Sequence, residues 1–430
     1  MRLTIESLAY GGAAIAHAED GVTVFVEGAC PGDTVEADIT EDHGRFRRAT
    51  VVEIVEPSAD RVQPLCPYFG RCGGCQWQHI DLGVQRDSKQ RFVADALERI
   101  GNAEVDVSPT LFAAAGYGYR NKVELSVVDT SRGTALGLAR RHSNEILPIE
   151  SCPLLSGRSQ RVPHALTGAL RYLASQSDTP VERLGYRVST TSSTEVSLWT
   201  KPGPFPRHLA AKVFSDAVGA KTITRVLFKG PIKARSVVKV EVLAGPGMWE
   251  ERLGKDRFMV SAPSFFQVNT AAAMILRDAA IAALDIQPAD RVFDVFSGVG
   301  TFTLPIARAA GAVTAIESYG SAISDLRRNL DVASLSAKVA PGDAARALPE
   351  CGDADLVIVD PPRSGLAPAV IEALAQAHPR RIVYVSCDAG TLGRDTARFS
   401  DAGYLPKHAV PVDLFPQTYH IETVLTLEAR

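Results

Sequence analysis

The chain has 430 residues, 46% of them hydrophobic and 22% charged, with a formal net charge of −3. This length predicts about two to four domains, and the weak negative charge excludes a surface that is basic throughout, as non-specific polyanion binders have. No apolar run approaches the roughly 20 residues that cross a bilayer. Met1–Glu6 alternates like a strand and has no signal-peptide core. We expect a cytoplasmic protein without membrane contacts.

Residues 1–57 form short alternating runs of polar and apolar side chains, separated by turn residues. About five short strands in so short a stretch predict a small β-barrel. Residues 45–48 place three arginines around Phe46. This cluster fits a phosphate-backbone contact with one stacking aromatic, and it fits a solvated hairpin equally well.

Three of the seven cysteines, Cys66, Cys72 and Cys75, are close together in the sequence. Such clustering in an intracellular chain predicts a metal site rather than disulfides. Cys152 is the fourth candidate ligand. Four thiolates hold either zinc or an iron–sulfur cluster, and the ligand set alone does not choose between them.

A helix is predicted from about Asp81 to Ile100, and residues 117–242 then mix strand-like and helical stretches. From about residue 262 helices and apolar strands alternate regularly, which predicts a doubly wound parallel sheet. The predicted helices are 270–284, 302–310, 320–333 and 367–377, and the predicted strands are 291–296, 312–317, 355–360 and 381–386.

A glycine-containing turn after the first of these strands predicts a nucleotide-type cofactor site. Gly298 and Gly300 allow a ligand to approach the backbone closely. Glu317, at the end of the next strand, is placed to bind ribose hydroxyls, and Asp343 ends the segment after that. Thr303 stands where a dinucleotide fingerprint has its third glycine, so we favour S-adenosylmethionine over NAD.

Three further polar residues are predicted at the same crevice. Cys387 follows strand 381–386 and opens what reads as a polar turn, and Asp360 ends strand 355–360. Glu422 lies on a C-terminal hairpin strand, with His420 on the same face because alternate residues share a side. An acid followed by two prolines also occurs in amine methyltransferases, but Arg363 occupies the place of their stacking aromatic and disfavours that reaction.

These side chains match the needs of methyl transfer to C5 of uracil. That carbon is too weak a nucleophile to attack a sulfonium methyl group unaided. A thiolate that adds to C6 activates C5, and a base must then remove the C5 proton before the thiolate leaves. Cys387, Glu422 and Asp360 supply the nucleophile, the base and a carboxylate at the edge of the ring.

Taken together, the motifs resemble the RNA 5-methyluridine methyltransferase family, bacterial enzymes that methylate C5 of uridine in ribosomal or transfer RNA. The resemblance covers nearly the whole chain. It implies a multidomain α/β protein with a TRAM barrel (1–57), a central α+β RNA-binding domain with the cysteines (58–250), and a Rossmann-like class I methyltransferase domain (251–430). A monomer is expected.

The resemblance also assigns roles. Cys387 matches the family nucleophile and Glu422 the general base. The metal ligands would be those of a [4Fe–4S] cluster: Cys66, Cys72, Cys75 and Cys152. The S-adenosylmethionine contacts would be Gln267, Phe296, Thr301, Glu317, Asp343 and Asp360, beside the Gly298 and Gly300 turn.

One motif departs from the family, which usually has Ser-Cys-Asn-Pro where this chain has residues 386–389 with Asp388 and Ala389. The departure puts the geometry of the turn in question. The barrel and the cysteines favour 23S ribosomal RNA as the substrate, with transfer RNA as the alternative. A non-catalytic iron–sulfur RNA-binding protein is a second alternative, for which the altered turn is the only support.

Overall fold

The computed structural model describes residues 1–131, 133–176, 180–231 and 235–430. The strands are β1 (Arg2–Thr4), β2 (Ser7–Leu8), β3 (Ala14–His17), β4 (Thr23–Glu27), β5 (Thr34–Asp42), β6 (Phe46–Glu56), β7 (Asp106–Val107), β8 (Leu111–Phe112), β9 (Lys122–Thr130), β10 (Gly133–Ala139), β11 (Ile146–Pro148), β12 (Val181–Val188), β13 (Thr194–Thr200), β14 (Thr222–Lys229), β15 (Ser236–Ala244), β16 (Trp249–Leu253), β17 (Asp256–Val260), β18 (Arg291–Val295), β19 (Ala312–Glu317), β20 (Lys338–Pro341), β21 (Leu356–Val359), β22 (Arg381–Ser386), β23 (Tyr404–Asp413) and β24 (Glu422–Ala429). The α-helices are α1 (Leu82–Arg99), α2 (Val162–Ala174), α3 (Arg207–Val218), α4 (Thr270–Leu284), α5 (Thr303–Ala309), α6 (Gly320–Val332), α7 (Ala344–Ala347), α8 (Pro368–Gln376) and α9 (Ala389–Asp401).

The N-terminal strands form one six-stranded sheet in the order β1-β5-β6-β4-β3-β2. Its alternating side chains point in turn to solvent and to a common core, so Val24 and Val26 of β4 are buried while their neighbours are partly exposed. The core is closed from outside the sheet by Trp77 and Phe92. The barrel-like unit is therefore sealed by residues of the cysteine segment and α1.

The central unit is a seven-stranded sheet in the order β11-β10-β9-β12-β13-β14-β15. Helices α2 and α3 pack on it through apolar residues such as Leu166, Leu170 and Phe214. Cys72 and Cys152 pack at the edge of this core. The unit is thus an α+β layer beside the cysteines.

The C-terminal sheet has the order β20-β19-β18-β21-β22-β24-β23-β7, with β8 also paired to β23. Strands β18 to β22 are parallel, and β24 runs antiparallel to β22. Helices α1, α8 and α9 contribute to the core on one face, and α4 and α5 contribute to the core on the other. The predicted doubly wound sheet is confirmed, with the predicted element ends within one residue of those observed.

Two expectations need correction. Residues 82–112 were expected in the central domain, but α1 packs on α9 and β23, and β7 and β8 add to the C-terminal sheet. The apolar face of α1, with Val93 and Leu97, belongs to that core. The second correction concerns the predicted polar turn after Cys387, which is the start of helix α9.

The helix was missed because Gly390 and Gly393 weaken its helix propensity. A Cβ atom at Gly393 would lie 2.4 Å from the carbonyl oxygen of Ala96 in α1, so close packing of the two helices requires glycine there. No helix in the described part of the chain is both long and apolar enough to span a bilayer.

Candidate active site

The predicted site residues meet at the carboxyl edge of the C-terminal sheet. Parallel strands end at the same edge, so the residues that follow β18, β19, β20, β21 and β22 are neighbours. Strand β18 has β19 on one side and β21 on the other, which makes this position the topological switch point where open α/β sheets bind ligands. The Gly298 turn and Asp360 lie on either side of that point.

The ladder between β22 and β24 brings Cys387 and Glu422 together. Ser386 is paired with Thr423, and Cys387 and Glu422 are the next residues along the two strands. Glu422 is 3% exposed, whereas Cys387 is half-buried at the mouth of the crevice. His420 does not continue the strand as expected but lies in the turn before β24, with its ring nitrogens 3.3 and 3.4 Å from Nη2 of Arg363.

The electrostatic environment favours neutral acids and a neutral thiol. Burial, together with the charges of Glu422 and Asp360, raises the pKa of Cys387 to about 12. Burial and then Asp360 raise the pKa of Glu422 well above its usual range. Arg363 opposes both shifts. The pocket therefore carries more acidic groups than its one opposing arginine compensates, and a positively charged ligand would favour their ionised forms.

The turn that departs from the expected motif keeps a regular geometry. Asp388 is the N-cap of α9, where its Oδ1 accepts a hydrogen bond from the backbone N–H of Thr391 at 2.9 Å. A carboxylate caps a helix as well as an asparagine amide does. The change from Asn to Asp thus keeps the cap and adds a negative charge next to Cys387.

The glycine turn after β18 has an unusual backbone. Phe296 adopts φ 64°, a left-handed conformation that costs energy in a non-glycine residue and is common at functional sites. Gly298 (φ +55°) faces open space, because a Cβ atom built there would have no neighbour within 4 Å. The turn thus leaves room in front of its backbone, as a bound nucleoside requires.

The other expected cofactor contacts surround this space. Glu317 accepts hydrogen bonds from the backbone N–H groups of Gly298 (2.8 Å), Ser318 and Tyr319 (both 2.7 Å), which hold its carboxylate in place. Asp343 is exposed and caps α7, and Thr301 is half-buried in the turn before α5. The backbone oxygen of Gln267 accepts a hydrogen bond from Asn121 at 3.0 Å, which ties this loop to the central unit.

Two acids, the buried Asp294 and the half-buried Asp360, lie under the same turn. Burial raises the pKa of Asp294 to about 7, and burial together with the charge of Asp294 does the same for Asp360. Oδ2 of Asp294 accepts a hydrogen bond from the Thr303 hydroxyl, whereas its buried Oδ1 has no hydrogen-bond partner among the residues that the structure describes. The floor of the crevice therefore carries carboxyl groups whose charge is not compensated by the protein.

All four candidate metal-binding cysteines are free thiols. Burial, and then the neighbouring groups, raise the pKa of Cys75 to about 12, and Cys72, Cys66 and Cys152 are among those neighbours. In the described residues, however, no three His, Cys, Asp or Glu side chains are arranged as ligands of a metal ion. The donor chemistry fits four thiolate ligands, while convergence on a single ion is not seen.

Sequence reasoning missed the contact between the cysteine segment (residues 66–79) and the turn between β23 and β24. The backbone N–H groups of Gln76 and Trp77 both donate to the carbonyl oxygen of Gln417, at 3.0 Å. Gln417 is buried with φ 73°, its side-chain Oε1 accepts a hydrogen bond from Nε2 of Gln85 of α1, and its backbone N–H donates to Oε1 of Gln85. The only signal of this contact in the sequence is that Gln417 is a polar residue within an apolar stretch, and this does not identify the segment that Gln417 contacts.

Two sequence models of protein families match this chain. The TRAM domain matches residues 1–52, and the family described as tRNA (uracil-5-)-methyltransferase matches residues 351–430, which include Asp360, Cys387 and Glu422.

Whole-length relatives extend the match. An uncharacterized RNA methyltransferase of Gloeobacter violaceus is 36% identical over 99% of this chain and 95% of its own length. A 23S rRNA (uracil(1939)-C(5))-methyltransferase of Halomonas elongata is 33% identical over 99% of this chain and 89% of its own length. The chain belongs to the RNA uracil-C5 methyltransferase family.

Members of this family transfer a methyl group from S-adenosylmethionine to C5 of uridine in RNA, and this chain is an RNA (uracil-C5)-methyltransferase. The fold agrees with that of a solved member. The tRNA (uracil-54, C5)-methyltransferase of Pyrococcus abyssi, determined with S-adenosyl-L-homocysteine, superposes with a TM-score of 0.76 over 99% of this chain and 100% of that chain, at 24% identity. At this identity the comparison supports the fold alone.

Proposed function

We propose that this methyltransferase acts through a covalent bond between Cys387 and C6 of the target uridine, with Glu422 as the base that removes the C5 proton. Asp360 hydrogen-bonds the edge of the base. The observation that carries the proposal is the adjacency of Cys387 and Glu422 along the β22–β24 ladder, beside the end of β21.

In the proposed reaction the Cys387 thiolate adds to C6, and the electron pair of the C5–C6 double bond moves onto the ring. S-adenosylmethionine supplies an electrophilic methyl group. C5 takes that methyl group, Glu422 removes the C5 proton, and the released electron pair restores the double bond and expels the thiolate. Burial gives Glu422 a raised pKa, which makes its carboxylate a stronger base than an exposed one.

Two variants test this mechanism. Cys387→Ala should abolish methylation, while Cys351→Ala, a half-buried thiol in another part of the domain, should not. Glu422→Gln should accumulate an enzyme–RNA adduct that carries the methyl group, because the proton stays on C5 and the thiolate cannot leave. Methylation by the Cys387→Ala variant would rule out the covalent mechanism.

We further propose 23S ribosomal RNA as the substrate. Support comes from the Halomonas elongata relative, whose name states that substrate. Transfer RNA is the second candidate, because the family model that matches residues 351–430 is described as tRNA (uracil-5-)-methyltransferase. Mapping of 5-methyluridine in both RNAs from cells with and without the gene distinguishes the two.

The cysteines are proposed to hold a [4Fe–4S] cluster, with Cys66, Cys72, Cys75 and Cys152 as ligands. Each thiolate of such a cluster binds a different iron atom, so the four sulfurs need not converge on one point as zinc ligands do. The cluster would join residues 66–75 to residue 152 and hold the units in register. The purified protein should contain iron and acid-labile sulfide, both lost in Cys75→Ser but kept in Cys351→Ser, whereas zinc in their place would contradict the proposal.

The remaining proposals concern organisation. We propose three units: 1–57, 58–250 without residues 82–112, and 251–430 together with 82–112. The proposed cofactor contacts are Gln267, Phe296, Gly298, Gly300, Thr301, Glu317, Asp343 and Asp360. The chain is proposed to act as a monomer, which analytical ultracentrifugation of the full chain checks.

A further inference from the structure

The turn formed by residues 9–12 of the N-terminal unit lies against the active site. The indole N–H of Trp77 donates to the carbonyl oxygen of Gly12 at 3.0 Å. A Cβ atom at Gly12 (φ +100°) would lie 3.0 Å from Cγ of Gln76 and 3.2 Å from Cδ1 of Tyr419. The turn is therefore held between the cysteine segment and the hairpin that leads to Glu422.

Within this turn Tyr10 reaches the residue next to the nucleophile. Its hydroxyl donates to Oδ2 of Asp388 at 2.8 Å, while Oδ1 of the same carboxylate caps α9. The ring of Tyr10 packs edge-on against Phe92 and Tyr419, with centroids 5.7 and 5.5 Å away. One carboxylate thus connects the N-terminal unit to the first turn of the helix behind Cys387.

We propose that Tyr10 is a positioning residue of the active site, which holds Asp388 and thereby sets the orientation and the charge environment of Cys387. The inference rests on the proposed role of Cys387 as the nucleophile. It gives the TRAM unit a part in the chemistry in addition to RNA binding.

The Tyr10–Asp388 hydrogen bond matters because the charges around Cys387 decide how easily its thiolate forms. Glu422, Asp360 and Asp388 disfavour the thiolate, and Arg363 favours it. Asp388 is the negative group that this chain has where the family usually has asparagine. Burial and Asp388 raise the pKa of Tyr10, so its hydroxyl stays protonated and able to donate. The hydrogen bond from Tyr10 partly offsets the negative charge of Asp388.

The test measures the thiol directly in the full-length protein. The rate of alkylation by iodoacetamide is followed from pH 7 to 11 by mass spectrometry of the tryptic peptide 382–394, whose single cysteine is Cys387. Tyr10→Phe keeps the ring and removes the donor, so alkylation below the thiol pKa should slow about threefold, equivalent to about half a pKa unit. Tyr172→Phe, an exposed tyrosine on α2, is the matched control and should change nothing.

A double-mutant cycle separates this role from packing. Asp388→Asn keeps a capping oxygen and removes the charge, so alkylation should become faster, and adding Tyr10→Phe to it should have no further effect. An equal slowing by Tyr10→Phe in both backgrounds, or no slowing at all, would overturn the inference. If Tyr10→Phe does not fold, Tyr10→Leu, which also removes the donor, takes its place in both backgrounds, with the same expected and overturning outcomes. Because alkylation needs no turnover, failure here is distinct from failure of the covalent mechanism, which Cys387→Ala tests.

Discussion

Ser386 and Thr423 are paired in the antiparallel ladder between β22 and β24, and this register places Cys387 beside Glu422. A slip by one residue would turn Glu422 to the opposite face of the sheet. The relation matters because the carboxylate then serves two purposes. In the proposed mechanism it removes the C5 proton, and its charge opposes early formation of the thiolate.

The first prediction follows from that charge. Burial raises the pKa of Cys387 to about 12, with Glu422 as the next cause. Glu422→Gln removes a negative charge, so the thiol pKa should fall and alkylation of Cys387 at pH 9 should accelerate about tenfold for each unit of that fall. Glu428→Gln, on the same strand but beside Arg381 at its far end, is the control and should leave the rate unchanged. An unchanged rate in Glu422→Gln would show that the two groups do not interact.

The second prediction concerns the dependence of stability on pH. The pKa values of Asp294 and Asp360 are raised to about 7 by burial, so the folded protein keeps protons that the unfolded chain releases above about pH 4. The contribution of these bound protons to the free energy of unfolding is complete below about pH 4 and is lost as the pH rises through 7. Asp294→Asn should flatten this decline, measured by urea unfolding without cofactor from pH 5 to 8. A slope equal to that of the unmodified protein would contradict the assignment.

The third prediction separates cofactor contact from packing in the glycine turn. Gly300→Ala would place a Cβ atom 2.7 Å from Leu326 and 2.8 Å from Leu304, so it should destabilise the fold by about 1–3 kcal/mol. Gly298→Ala meets open space and should instead weaken binding of S-adenosylhomocysteine, measured by calorimetric titration.

Its control is Gly352→Ala, another glycine with positive φ (+80°) and no neighbour within 4 Å. This variant carries similar backbone strain away from the crevice. Equal cofactor binding by the Gly298→Ala and Gly352→Ala variants would place the ligand elsewhere.

The fourth prediction concerns a fully buried ion pair between helix α1 and the end of strand β23. Nζ of Lys89 donates to Oδ1 of Asp413 at 2.6 Å, and both side chains are inaccessible. Lys89→Met should cost about 3–5 kcal/mol of unfolding free energy, because the carboxylate is left buried without its partner. Adding Asp413→Asn should recover much of that loss. Lys212→Met, which removes an exposed pair with Asp216, should change stability by less than about 1 kcal/mol.

The fifth prediction tests the link between Gln85 and Gln417. Nε2 of Gln85 donates to Oε1 of Gln417 at 3.1 Å, and Oε1 of Gln85 accepts a hydrogen bond from the backbone N–H of Gln417 at 2.9 Å, both in a buried position. Each alanine variant should cost about 1–3 kcal/mol, because it leaves a buried polar partner unsatisfied. The double variant should cost less than the sum, since both changes break the one hydrogen bond between the two side chains. Thermal unfolding of the four proteins measures the coupling, and strict additivity would mean that the two side chains do not interact.

The alternation of apolar strands and helices after residue 262 was enough to predict the sheet. Strand ends can be read from the sequence because buried parallel strands are continuous apolar runs. The position of Cys387, Asp360 and the glycine turn at one edge followed from that order alone. The start of α9 was not predicted, because Gly393, which weakens the helical signal, is required by contact with α1, which lies far away in the sequence.

The sequence by itself therefore determined the sheet, its functional edge and the chemical groups available there. Only the tertiary structure decided which groups touch, because hydrogen bonds between distant segments depend on how whole units dock. Neither the contact of Tyr10 with Asp388 nor that of the cysteine segment with Gln417 has a local pattern. Both arise where the N-terminal sheet and the cysteine segment are packed against helix α9 and the segment between β23 and β24, and this packing links the TRAM unit to the surroundings of Cys387.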